Sequence, residues 1–500
     1  MGKKDHCDRY FPGNERIAHW HDLLEVQRRL CKGDHVPKNS ILQYDEHSGF
    51  FFGMKSEQDL RSSEYIGKSF RRDAHVLVAG ESGRGKTQCI VLPTMATWMG
   101  SQVILDVKGD LYEYWRKMNQ DTGKECVHFS LGDSNCKYDP YAPLRHGGEQ
   151  NLAGNARDLA MALIPQPPYV NDPIWIQCAQ NFLTGVILYF YENGSSFVDT
   201  MAEIQRSPIG EIIEEVCSSD NDIAAVYMNK LGEVHGNVIG SIGMELSNLA
   251  IFVTDSAIRD VLPTTAEEDH LLDWQDLNIL REPKDVILTI PEAAIERAAP
   301  MIRLMVNQLI KMLEQRSQSD YLAGKLPPVL IMLDEFSRIG TLPAIKSGLR
   351  TLRSRGVTFA LFIQSLADLE ENYGSTGGKV IAENCPYKVI LGASDVASQE
   401  YWSKLVGTVE ATAKYSTFVN GPVIDEIFSF STPFSSAKVP IMEPAEFLTM
   451  QDAVIITPEG FFRVEKVPFH KYERFFTKSE AARNREKKLR EIVERSRLSQ

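Results

Sequence analysis

Gly80, Gly85, Lys86 and Thr87 stand in the segment GESGRGKT with the spacing G-x-x-x-x-G-K-[ST]. Glycines at that spacing let consecutive backbone N–H groups turn inward around phosphate oxygens. In such a loop Gly80, Glu81, Ser82, Gly83, Arg84 and Gly85 wrap the anion. Lys86 then reaches the β and γ phosphates of a nucleoside triphosphate, and the Thr87 hydroxyl binds Mg²⁺. The same chemistry needs a carboxylate for the metal and a polar group for the attacking water. Asp334 and Glu335 follow the apolar run VLIML, so Asp334 is placed to coordinate Mg²⁺ and Glu335 to act as the base for water.

These side chains work together only if the fold brings distant segments to one edge of a sheet. The β-branched run Val76, Leu77, Val78 enters the loop, and GKTQCIVLPTMATW leaves it with helical spacing, the strand, loop, helix order that the motif demands. PPVLIMLDEF reads as a buried parallel strand ending at Asp334. Asp334 lies about 250 residues beyond Lys86, whereas neighbouring parallel strands are linked by a few tens of residues, so something is inserted. VILDVKGDLYEYW and CVHFSLGD supply further strands, and residues 151 to 275 give mostly helical patterns. Strand character returns at DVILTIP, followed by a helix through AAIERAAPMIRLMVNQLIKMLEQRS.

The reading is therefore an α/β core with an inserted all-α domain. The segment 1–72 leads into the core, 73–150 and 276–470 form the nucleotide-binding domain, 151–275 is the insertion, and 471–500 is a charged helical tail. VTFALFIQSLADL reads as a strand ending at Gln364. At the carboxyl end of a strand Gln364 would share the crevice with Lys86 and Asp334 and sense the γ phosphate, or it would cap the next helix. KVILGA supplies one more strand, and STGGKV at 375–380 reads as a loop.

Composition sets outer bounds. A chain of 500 residues divides into two or more domains. Its eight cysteines contain no C-x-x-C pair, which argues for reduced thiols in a cytosolic compartment. No apolar run reaches the roughly 20 residues of a membrane span, so a cytoplasmic chain is expected. The net charge of −13 speaks against a surface that is basic all over. A local basic cluster, Lys346, Arg350, Arg353 and Arg355, follows the Asp334 strand, with Arg338 just ahead of it. Any of the arginines could complete a neighbouring subunit's site as an arginine finger, the cluster could track DNA phosphates along a channel, or each could be a solvated residue. The tail AARNREKKLREIVERSR carries interleaved glutamates and reads as a solvated helix. His6, Cys7, His19, His21, Cys31 and His35 crowd the first segment at spacings that match no zinc pattern.

The ordered series GESGRGKT with VLPT, VILDVKGDLYEYW, YDPYAPL, DPIWIQCAQNFL, PPVLIMLDEFSRIG and ALFIQSLADLEENYG resembles that of the type IV secretion coupling proteins, the conjugative DNA-pumping ATPases, over residues 73 to 470. The resemblance implies a RecA-like P-loop motor that forms a hexameric ring, with an all-α domain at the cytoplasmic mouth that receives cargo. It implies ATP and Mg²⁺ at Lys86, Thr87 and Asp334, water activation at Glu335, and a family glutamine at Gln364. Partners would be single- or double-stranded DNA with its relaxase, or effector proteins, and secretion machinery at the inner membrane. Members typically begin with membrane-spanning helices. This chain shows none, so the expectation is either a cytosolic variant, whose docking to the cytoplasmic face would depend on a separate anchoring partner, or a fragment. Its YDPYAPL also stands where Asn-Pro-Leu is commoner.

Three functions compete at this point: an ATP-driven motor delivering DNA or nucleoprotein, a cargo receptor whose ATPase only gates handover, and a P-loop phosphotransferase. The last is disfavoured, because such enzymes need neither the large insertion nor the adjacent Asp-Glu.

Overall fold

Along the central strands, successive side chains alternate between two apolar layers: Leu77, Ala79, Ile331, Leu333, Leu361 and Ile363 enter one, and Val76, Val78, Leu330, Met332, Ala360 and Phe362 the other. A sheet with both faces buried has to be covered on both sides, which is the layered α/β arrangement expected from the sequence. The structure, a computed structural model, describes residues 36–46, 48–54, 63–169, 173–229, 231, 236–264, 271–275, 277, 281–414 and 434–498. The histidines and cysteines from His6 to His35 lie outside the described residues.

In chain order, β1 (Ile41–Gln43), β2 (Gly49–Gly53) and β3 (Glu64–Ser69) form a small antiparallel sheet of order β1-β3-β2. β4 (Val76–Ala79), β5 (Ser101–Asp106) and β6 (Glu125–Ser130) belong to the central sheet. β7 (Lys137–Tyr138) pairs in parallel with β8 (Leu271–Leu272), so the ends of the helical segment between them are tied together. β9 (Lys284–Thr289), β10 (Val329–Leu333), β11 (Val357–Ile363) and β12 (Tyr387–Ile390) return to the central sheet. A separate ribbon pairs β13 (Thr408–Lys414) with β14 (Phe434–Pro440), and β15 (Ala453–Thr457) with β16 (Gly460–Val464) closes one edge of the large sheet.

The nine strands run in the order β16-β15-β12-β4-β11-β10-β5-β9-β6. From β12 to β6 all pairings are parallel, and the antiparallel pairings are those of β15 with β12 and with β16. The strand that leads into the phosphate loop (β4) and the strand that ends in Asp334 (β10) are not neighbours. β11 lies between them, in register with both.

One face of the sheet is covered by the helix Ile295–Glu314 and, in the same continuous core, by helices of the insertion, including Leu152–Leu163 and Ile174–Glu192. The other face is covered by the helix that follows the phosphate loop, by the β1–β3 sheet and by the C-terminal helices. Among the described residues no helix is long and apolar enough to cross a membrane.

Two local expectations are corrected. Residues 375–380 are helical, not a loop: they continue the helix Leu366–Asn384 across a kink at Gly374, whose φ of 73° only glycine adopts without strain. Gly377 and Gly378 pack closely there, the first against Lys346 and Tyr373 and the second against the backbone at Leu369, leaving little room for a side chain. The C-terminal helix Glu480–Leu498 is docked rather than solvated. Its Ala482, Arg485, Leu489 and Val493 fall on one stripe at helical spacing and are buried. Arg485, 4% exposed, donates to the Trp98 carbonyl at 3.0 Å and stacks over the Tyr44 ring.

Candidate nucleotide-binding site

The phosphate loop leaves β4 beside the end of β11, where the Gly80 N–H donates to the Ile363 carbonyl at 3.1 Å. Gly83 and Gly85 have φ of 79° and 98°, the left-handed region that lets the loop reverse and present its N–H groups inward. A Cβ at Gly85 would also meet the Cys89 Sγ. A π-helical turn, Lys86–Val91, follows and runs into the α-helix Leu92–Thr97. Single π turns within helices recur at functional sites.

The outward side chains of the loop are held by other elements. Glu81 Oε1 accepts from the Ser394 N–H at 3.0 Å, and Arg84 Nη2 donates to the Leu448 carbonyl at 2.9 Å. Ser82 is exposed at the tip.

Three residues predicted for the site meet directly. Lys86 Nζ lies 3.1 Å from Glu335 Oε1, and Gln364 Nε2 donates to Glu335 Oε2 at 2.8 Å. The sheet order explains the meeting: β11 brings Gln364 up between the loop on β4 and the acids on β10. Glu335 is the single non-glycine residue with positive φ among the described residues, at 48°. That conformation turns its carboxylate from the strand end towards Lys86.

Gln364 has a second task. Its N–H donates to the carboxylate of Asp368, which also bonds Ser365 in the capping box of the helix Leu366–Asn384. Gln364 thus contacts Glu335 through its side chain and adjoins the start of that helix through its backbone.

Asp334 and Thr87 line a void of about 10 Å³ together with Asp106 and Lys108, room for one water or a small ion. A hydroxyl and a carboxylate are the hard oxygen donors that Mg²⁺ takes, with water and phosphate supplying its remaining positions. Among the described residues no group of three His, Cys, Asp or Glu is gathered to hold a metal ion.

The electrostatics separate the two acids. Burial pushes the Asp334 carboxyl above its ordinary value, with Glu335 adding to the rise and Lys86 and Lys108 opposing it. Burial also pushes Glu335 up, but Lys86, Gln364 and Arg338 together hold it below the ordinary carboxylate value. Lys86 and Gln364 thus favour the ionised form of Glu335, while burial disfavours that of Asp334.

Asp106 and Lys108 were not read as site residues. Asp106 ends β5, next to β10, and its carboxylate accepts from the N–H groups of Lys108 (3.1 Å), Gly109 (2.8 Å) and Leu111 (3.1 Å), fixing the DVKGD turn against the void. The signal was a strand ending in Asp with a glycine turn, akin to the one that marked Asp334.

The basic candidates disperse. Arg338 pairs with Glu292 and Glu296, each at 3.3 Å. Lys346 sits over the Tyr373 ring at 5.7 Å. Arg350 and Arg353 are exposed. Arg355 donates to the carbonyls of Glu314 and Arg316, so its guanidinium is engaged at the end of the helix Ile295–Glu314. Arg353 and Arg355 precede β11, at the sheet edge opposite the phosphate loop.

Beyond Glu335 the chain is tied to the insertion. Arg303 donates to the Ala162 carbonyl and to the Ile339 carbonyl, linking the helix Leu152–Leu163 to the loop after the acids. Tyr169 donates to the Glu370 carbonyl at 2.8 Å.

A parallel sheet with the phosphate loop on one strand, the acids on another and a strand between them defines a RecA-like P-loop nucleoside-triphosphatase core. The family model for type IV secretory system conjugative DNA transfer matches residues 32–491, and the chain belongs to that family. It is 26% identical over 465 residues to the protein VirD4 of Rhizobium radiobacter, covering 91% of this chain and 63% of the relative. It is 25% identical over 477 residues to the conjugal transfer protein TraG of Escherichia coli, covering 87% of this chain and 71% of the relative. The chain thus spans somewhat under two thirds of the length of the VirD4 relative. Among solved structures, the bacterial conjugative coupling protein TrwBΔN70 in complex with sulphate aligns with a TM-score of 0.62 at 13% identity, covering 92% of this chain and 95% of that one. TrwB with a non-hydrolysable ATP analogue aligns at 0.61, again at 13% identity, covering 92% and 95%. The likeness in fold therefore persists where little sequence is shared.

Proposed function

We propose that this chain is the ATP-driven coupling protein of a conjugative type IV secretion system, recruiting DNA with its relaxase, or protein substrates, and delivering them to the channel. The contact of Glu335 with both Lys86 and Gln364 carries the reading: it joins the phosphate cradle, the water-activating acid and a polar sensor in one place. Membership of the conjugative DNA transfer family supplies the process. TrwB is described in complex with ADP and Mg²⁺ and with an ATP analogue, which supports the same ligands here.

In the proposed mechanism the arriving triphosphate takes the place of Glu335 at Lys86, whose ammonium then neutralises the β and γ phosphate oxygens. Thr87 and Asp334 would hold Mg²⁺, which supplies charge neutralisation on the phosphates when bound. Glu335, freed from Lys86 and still bonded to Gln364, accepts a proton from water as the oxygen attacks the γ phosphorus and the bond to ADP breaks. Positive charge for the transition state comes from a neighbouring subunit of a hexameric ring, with Arg338, Arg350, Arg353 and Arg355, which follow the acids in the chain, as the candidates. The insertion between residues 151 and 275 acts as the cargo-receiving domain, and a partner holds the assembly at the membrane.

The test is ATP hydrolysis with and without single- and double-stranded DNA. Hydrolysis that DNA stimulates supports a motor. Hydrolysis indifferent to DNA, together with cargo binding, would replace the motor by a receptor that gates handover.

A further inference from the structure

The turn that ends β5 is held from within. Asp106 accepts from the N–H groups of Lys108, Gly109 and Leu111, and its Oδ2 lies 3.5 Å from Thr289 Oγ1. Gly109, at a φ of 79°, lets the chain reverse there. The Asp106 carboxylate is therefore spent on the turn, and the backbone that carries Lys108 is fixed.

Lys108 is exposed, yet it lines the same small void as Thr87 and Asp334. Its charge is felt there: Lys86 and Lys108 both pull the Asp334 carboxyl down against burial. The two cations differ in their engagement. Lys86 is paired with Glu335, whereas among the described residues the Lys108 ammonium meets no carboxylate and donates no hydrogen bond. It has no partner to give up when an anion arrives.

The sheet order says which part of a nucleotide it would meet. β11 and β10 lie between β4 and β5, so the phosphate loop and Lys108 flank the acids from opposite sides. A loop of this kind wraps the inner phosphates, and a metal held at Thr87 and Asp334 bridges the β and γ oxygens. The terminal phosphate then points over β10 towards β5.

We propose that Lys108 is a second γ-phosphate ligand, donating to a terminal phosphate oxygen from the β5 side and making the site favour a triphosphate over a diphosphate. The proposal rests on the nucleotide reading of the cradle and gives it a residue that distinguishes fuel from product.

The experiment titrates the full chain by calorimetry with the Mg²⁺ complexes of ADP and of a non-hydrolysable imido analogue of ATP. Salt is held at about 0.15 M, where exposed charges more than about 8 Å apart are largely screened, so that a surviving effect is a local contact. Lys108→Gln should weaken the analogue about tenfold while the Kd for ADP moves less than about twofold. Lys117→Gln, which removes another exposed charge on the helix Leu111–Asn119, should leave both affinities in place. Unchanged analogue affinity in Lys108→Gln, equal weakening of both nucleotides, or an equal effect from Lys117→Gln would overturn the proposal. Failure of the underlying reading looks different: the unaltered chain would bind neither nucleotide, or Lys86→Ala would bind both undiminished, and the proposal would fall with it.

Discussion

Lys86 Nζ and Glu335 Oε1 stand 3.1 Å apart although 249 positions separate them in the chain. The proposed phosphate-binding cation and the proposed base hold each other, so on that reading each masks the other until nucleotide arrives.

Lys86→Ala should reduce ATP turnover by about 10²-fold or more, since a cradle charge is removed from the transition state. It should also lower stability by about 1–3 kcal/mol, because Glu335 is left largely buried without its cation. Turnover assays and urea unfolding check the two effects separately. Retained hydrolysis would show that the loop does not hold the nucleotide.

In Glu335→Gln, ATP binding should survive while kcat falls by about 10²–10⁴, the range for loss of a general base. Binding is read with a fluorescent ATP analogue and kcat by phosphate release. Wild-type kcat in this variant would remove Glu335 from the chemistry.

The pH dependence follows from the lowered Glu335 carboxyl. A group whose folded pKa is depressed stays ionised until pH falls through that value, so the acid limb of kcat/KM, which reports the nucleotide-free protein, should lie below the ordinary carboxylate range. Gln364→Leu removes one of the groups that holds it down, and the limb should move to higher pH. A limb that does not move would mean that Gln364 does not set the ionisation of Glu335.

Asp334 runs the other way, its carboxyl raised by burial. The folded state then binds that proton more tightly than the unfolded chain, so this group costs stability as pH rises from its ordinary value through its raised one. Asp334→Asn should raise stability at neutral pH by about 0.5–2 kcal/mol while abolishing Mg²⁺-dependent turnover. Thermal unfolding without nucleotide is the check, and a lower midpoint would contradict the assignment.

The basic residues should divide by their surroundings. Ala at Lys346, Arg350 and Arg353 should weaken DNA binding and flatten its salt dependence by about one in the log–log slope for each DNA phosphate no longer neutralised. Arg355→Ala should mainly destabilise, because its guanidinium holds the carbonyls of Glu314 and Arg316. DNA binding titrated at several salt concentrations separates the two classes.

The loop and the acid pair were legible because their chemistry needs rare residues in fixed order: glycines where φ is positive, a lysine and threonine next, and acids at the end of an apolar strand. Gln364 was legible in position but not in its bonds, since only the sheet order shows β11 rising between β4 and β10. Asp106 carried a strand-end signal like that of Asp334 and was passed over for want of a visible partner. The β1–β3 sheet and the β15–β16 hairpin escaped notice because such short strands are specified by what they pack on, which lies outside their own segments of the chain. The docking of the final helix was hidden for a related reason: its buried stripe is thin, and one of its members is the arginine Arg485, which reads as solvent-facing until the Trp98 carbonyl and the Tyr44 ring are seen beneath it.

Residue 335 also sets directed evolution against itself. A left-handed backbone under a side chain costs about 1–2 kcal/mol relative to an unstrained residue, and here it falls on the acid beside the cradle. Glycine at that position would relieve the backbone yet leave the Lys86 ammonium buried without its carboxylate, so a screen for heat resistance would find no net gain in removing the acid.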